Sequence, residues 1–178
     1  MGRFLGVFGV LAMVLVGSGM AMGAELFFKD YDAASIQEFE VPTNVPAPDM
    51  AGTQIAEKIV YQLRRYSQKY HLFDMVVKEG TKEIPAGKKV LLIKGEVKEY
   101  TKPSVRRRIG RSFIPGGEWT GTAAFAAHYQ FVDRESGKVI YETDLRTTST
   151  GRADTVDYAM ERNAESAAKV IYRHKIGR

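Results

Sequence analysis

Between Ala124 and Leu145 the chain alternates twice, and this pattern limits the fold more than any other feature. Phe125, Ala127, Tyr129 and Phe131 fall on one side of an extended segment, with His128 and Gln130 on the other. Val139, Tyr141, Thr143 and Leu145 repeat the pattern, opposed by Glu142, Asp144 and Arg146. The joining residues run from Asp133 to Gly137, and a glycine there supplies the left-handed backbone that a tight turn needs. Two half-buried strands joined in this way form a β-hairpin whose apolar face needs a cover.

The cover is legible on either side. Ile55, Ile59, Leu63 and Tyr66 or Tyr70 recur at helical spacing, predicting a helix over 50–70 with Asp49 as its cap. Val156, Ala159, Met160, Ala167, Val170 and Ile171 predict a second helix, capped by Asp154 or Thr155. Glu165 and Lys169 are spaced as a favourable pair on it, and Arg173, His174 and Lys175 suit the negative end of its dipole. Further strands are expected at 36–41, at 72–77 and at 89–100. In the last of these, Leu91, Ile93, Gly95 and Val97 share a face, and Val90 and Leu92 suggest burial on both sides. The expected fold is α/β in the α+β sense: a mainly antiparallel sheet of four to five strands with two helices on one face.

Residues 1–24 stand apart. Arg3 is followed by an apolar run from Phe4 to Val16 and then by small residues, the pattern of a secretory signal peptide. Cleavage is expected after Gly23 or Ala24, leaving residues 25–178 as a single domain in the periplasm. The run falls short of the ~20 residues that span a bilayer. An uncleaved inner-membrane anchor is the alternative. The chain has no cysteine, which excludes disulfides, cysteine-ligated zinc, cysteine nucleophiles and a lipid-modified N-terminal cysteine.

The formal net charge is +5. Arg3 and the arginines of one later stretch, Arg106, Arg107, Arg108 and Arg111, equal that excess. These four sit in "TKPSVRRRIGRSFIPGGEWTGT", Thr101 to Thr122, between two strands and with the chain's one tryptophan, Trp119. Connections beyond ~12–15 residues are commonly functional or disordered. Three readings stand: a soluble connection, an anion-binding arm in which arginine forks meet phosphate or carboxylate with Trp119 as apolar anchor, or a nucleic-acid contact. The exported location counts against the third. The partner expected of the second is an envelope protein, an anionic lipid or lipopolysaccharide.

Catalytic patterns are missing from the sequence: it has no nucleophile elbow and no phosphate loop. His71, His128 and His174 lack metal-ligand spacing, and the carboxylates fall singly. No cofactor and no metal are expected. A non-enzymatic binding or assembly module is the leading expectation, and a hydrolase-like enzyme whose site forms only in three dimensions is the alternative.

The stretch from Val90 to Arg152 with the alanine-rich helix after it resembles a bacterial envelope family, domain of unknown function 4410 (DUF4410). Gly95, Val97 and Tyr100 match its first strand, Arg108 and Gly110 its loop, and Asp133 and Gly137 its hairpin. The resemblance implies an exported α/β envelope protein and carries no catalytic residues. The element order also looks like that of small α/β domains in envelope assembly proteins.

Overall fold

A computed structural model describes residues 25–104, 122–149 and 154–177. The elements are β1 (Ala33–Ile36), α1 (Ala51–Tyr70), β2 (Met75–Lys78), β3 (Val90–Thr101), β4 (Ala124–Asp133), β5 (Val139–Thr148) and α2 (Val156–Ile176). The strands form one sheet in the order β2-β1-β3-β4-β5. The long strands β3, β4 and β5 pair antiparallel, whereas β1 runs parallel to both β2 and β3. The sheet is therefore mixed and mostly antiparallel, and both helices pack on one face of it, as the periodicities predict.

The apolar alternation becomes a core. Leu91, Ile93 and Val97 from β3 and Phe125, Ala127, Tyr129 and Phe131 from β4 point at the helices and are buried. Ile55, Ile59 and Leu63 of α1 and Ala159, Ala164, Ala167 and Ile171 of α2 meet them in one cluster. Alanine along α2 lets that helix lie close to the sheet. Tyr129 is wholly buried, and its hydroxyl donates to Asn163 Oδ1 at 2.6 Å, while Asn163 Nδ2 donates to the Leu145 carbonyl at 2.9 Å. The polar groups inside this interface thus satisfy one another.

Three boundaries differ from expectation. The strand expected at 36–41 lies at Ala33–Ile36. All four of its residues are buried, so it has no alternation to read. Residues 37–40 still follow β3, with Gln37 N–H donating to Ile93 O and Glu40 N–H to Gly95 O, each at 2.9 Å. The strand expected at 72–77 starts three residues later, because His71 turns the chain left-handed (φ 54°) to end α1. Asp49 does not cap α1. Met50 occupies that position without a side-chain cap, and Ala51 N–H instead donates to the Pro48 carbonyl at 2.9 Å.

The hairpin turn holds, with Gly137 at φ 71°. A bulge between Phe131 and Val132 sets Val139 opposite Val132, on the face away from the helices, and leaves it 41% exposed. Val139 is the one member of its expected row that the bulge removes. Val90 and Leu92 are half-buried on that same outer face.

Candidate functional site

Arg106, Arg107, Arg108, Arg111 and Trp119 lie outside the described residues, as does the leader, so the arginine stretch is known from its anchorage. Thr101 and Ala124, which bracket it, are register partners across β3 and β4. The segment therefore leaves the sheet and returns to it at one place. Its return strand is stitched to the chain that follows β5. Ser149 N–H donates to Ala123 O at 2.8 Å, Ala123 N–H donates to Asp154 Oδ1 at 2.8 Å, and the Ser149 hydroxyl also meets Asp154 Oδ1. Ala123 and Ser149 are fully buried, so this base is part of the rigid fold.

The same end of the molecule carries the beginnings of both helices. Lys58 of α1 pairs with Asp157 in the first turn of α2 at 2.8 Å, and the Tyr70 ring near the end of α1 meets the Tyr172 ring near the end of α2 at a tilt, centroids 4.6 Å apart. The two helices therefore run in the same direction, and the start of α2 is held against the base of the arginine segment through Asp154 and Ala123. Thr155 caps α2 by accepting from Tyr158 N–H at 3.1 Å. Asp154, the other expected cap, serves Ala123 instead. Aligned helix N-termini add partial positive charge to an end whose connecting segment already holds four arginines.

Two carboxylates near this base already have partners. Glu99 accepts from Arg146 Nε at 2.7 Å and Nη2 at 3.2 Å, and from Thr101 Oγ1 at 3.0 Å. The Arg146 guanidinium holds Glu99 below the usual carboxylate range. Asp154 is engaged as described above.

The histidines are dispersed. His71 closes α1 and His174 Nδ1 sits 2.9 Å from the Glu25 carbonyl. His128 meets Asp144 at 2.9 Å across the β4–β5 register, on the outer sheet face. That pair is invisible to residue spacing and follows only from strand register. Its hollow, lined in part by Lys94, Glu96 and Gln130, measures about 140 Å³, below the ~300–1,000 Å³ of small-molecule sites. Among the described residues no three His, Cys, Asp or Glu side chains are grouped to hold a metal, and no helix is long and apolar enough to cross a membrane.

A larger hollow of about 630 Å³ lies between the outer sheet face and the β2–β3 connection, walled by the Arg134–Glu79 ion pair (3.2 Å) among others. The buried Ser35 hydroxyl at its floor has no hydrogen-bond partner among the described residues. The walls mix Lys82 and Lys88 with Glu79 and Glu83, and select no single ligand charge.

No family model matches the chain, and no curated protein matches it. Solved structures do. A PelC dodecamer from Paraburkholderia phytofirmans is 12% identical over 80% of this chain and 90% of that one, with a TM-score of 0.55. A second structure of the PelC dodecamer is 12% identical over 77% and 86%, with a TM-score of 0.53. Protein XCC0632 from Xanthomonas campestris, of DUF330, is 9% identical over 84% and 87%, with a TM-score of 0.52. None of the three is named for an enzymatic activity. At these identities the likeness concerns the fold: the helix-backed five-stranded sheet is an architecture shared with PelC and with a DUF330 protein.

Proposed function

We propose that this chain is an exported envelope protein of the DUF4410 type, working in the periplasm as a non-enzymatic binding or assembly module. Its contact element is the arginine segment, and its partner is anionic, presenting phosphate or carboxylate groups to Arg106, Arg107, Arg108 and Arg111, with Trp119 beside them. One observation carries the reading. The segment holding the chain's excess positive charge is anchored at both ends on paired strand residues, at the pole shared by both helix N-termini. Arginine forks in that segment suit phosphate or carboxylate groups on a partner surface. The likeness to PelC, solved as a dodecamer, supports an assembly role.

The test replaces Arg106, Arg107, Arg108 and Arg111 with serine. Wild-type protein recovered after export should lack residues 1–23 or 1–24 by intact mass, and should retain partners from envelope extract and crosslink to them in cells. The variant should lose that retention while melting at the wild-type temperature. Equal retention by both proteins would overturn the binding reading.

A further inference from the structure

The pole of the helical layer away from Thr101 and Ala124 carries a surface of its own. Tyr66 and Tyr70 of α1 and Tyr172 of α2 form a contiguous group, with ring centroids 5.6, 6.2 and 4.6 Å apart. All three are only half-buried. Tyr61, one turn before Arg65 on the outer face of α1, is 59% exposed, with the Arg65 guanidinium 5.9 Å from its ring. Lys69 Nζ stands 5.0 Å from the Tyr70 ring. A hollow of about 470 Å³ opens among Arg65, Tyr66, Gln68, Lys69, Tyr70 and Glu165. Tyr172 and Ile176 share a face of α2 with Lys169, whose ammonium is already paired with Glu165 at 2.8 Å. Arg173, four residues beyond Lys169, flanks that face and is exposed. Arg65, Lys69 and Arg173 thus flank the three tyrosines, and the nearest acid, Glu165, is paired within the patch.

Where the chain enters the fold points to the occupant. Phe28 N–H donates to the His174 carbonyl at 3.1 Å, and Lys175 Nζ donates to the carbonyls of Phe28, Lys29 and Tyr31 at 3.2, 3.2 and 2.6 Å. Residues 25–31 are thereby clamped to the end of α2, and exposed Leu26 and Ile176 lie beside it. Eight residues separate the apolar run Phe4–Val16 from Glu25, a span of nine steps that reaches at most about 30–32 Å. While the leader is attached to a bilayer, this pole is the one tethered to it. Tyrosine with an apolar body and a polar tip, framed by lysine and arginine, is the composition of a membrane–water interface.

We propose that the α1–α2 C-terminal pole docks on an anionic bilayer, with a lipid phosphate received between Arg65 and Lys69 and the tyrosine rings at headgroup depth. The docked molecule turns Thr101 and Ala124, where the arginine segment leaves and rejoins the sheet, away from that bilayer. The proposal uses none of the arginines of that segment, so the two surfaces can be tested apart.

The exported protein is sedimented with vesicles of phosphatidylcholine alone and of phosphatidylcholine mixed with phosphatidylglycerol. Wild type should follow the mixed vesicles only, and added salt should release it. The triple variant Arg65→Gln, Lys69→Gln, Arg173→Gln changes exposed side chains and should keep the wild-type melt. It should bind about fivefold more weakly per charge removed, the effect of roughly one basic residue near a charged membrane surface. The four-serine variant of the arginine segment should sediment as wild type does. Wild type that ignores the mixed vesicles, or a triple variant that binds them unchanged, overturns the proposal. Loss of sedimentation in the four-serine variant alone would move the lipid contact to the arginine pole, ending this inference and keeping the proposed function.

Discussion

At the scale of single residues, two glycines show how closely the chain packs around Phe39. A side chain at Gly95 would overlap the His128 carbonyl oxygen of the neighbouring strand and the Phe39 ring. One at Gly52 would overlap the Phe39 carbonyl oxygen, where α1 meets the segment along β3. Neither position needs a left-handed backbone, so the demand is for space alone. Phe39 in turn meets Tyr129 edge-on at 5.0 Å, filling the gap that Gly95 leaves on the sheet. Because the obstruction at Gly95 is backbone, it cannot rotate away. Gly95→Ala should cost about 2 kcal/mol or more, a fall of roughly 4–8 °C in Tm, read by calorimetry. An alanine variant that melts with wild type would show that β3 and β4 can separate locally at no cost.

At the scale of elements, the two helices begin by different chemistry. Thr155 has the extended backbone of a helix cap (φ −133°, ψ 153°) and accepts a hydrogen bond from Tyr158 N–H. Met50 is 62% exposed, lies in the helical region (φ −78°, ψ −2°), and contributes no side-chain bond. Thr155→Ala should therefore cost about 1 kcal/mol, whereas Met50→Ala should leave a denaturant midpoint unchanged. Sequence spacing found both helices and missed this asymmetry, since the α1 cap is a backbone carbonyl, that of Pro48. The β4–β5 hairpin was readable because its alternation is local and its turn sits between the strands it joins. β1 was not, because its partners begin at residues 75 and 90, and a four-residue strand buried throughout carries no periodicity. The arginine segment stood out by composition. Its anchorage did not, because Glu99 meets Arg146 across 47 residues and Ala123 meets Asp154 across 31. The tyrosine group is split likewise between Tyr66, Tyr70 and Tyr172, which come together only once the helices lie side by side in one direction.

At the scale of the whole molecule, the tyrosines also set how the fold responds to alkali. Burial first, then the hydrogen bond to Asp133 at 3.0 Å, pushes the Tyr31 phenol up to about 12. Burial alone raises the phenol of Tyr129, which is enclosed between the sheet and α2. In the unfolded chain both phenols lose their protons near pH 10. Between pH 10 and pH 12 the folded protein thus holds protons that the unfolded chain has released. Stability is then fully present below pH 10 and declines as pH rises through the folded value of Tyr31. Denaturant melts across that interval should show the decline, and phenolate absorbance of the folded protein should rise by fewer tyrosines than the chain contains until the cooperative loss of structure releases the rest. Tyr31→Phe removes one of the two protons concerned, so the slope of stability against pH should flatten. The same substitution should cost about 1 kcal/mol near neutrality by taking away the bond to Asp133. That loss would fall where the incoming chain, the β4–β5 turn and the end of α2 are held together, since Tyr31 gives its hydroxyl to Asp133 and its carbonyl to Lys175. A slope from pH 10 to pH 12 that Tyr31→Phe leaves unchanged would mean that Tyr31 is already ionised in the folded protein and that its bond to Asp133 does not hold this junction.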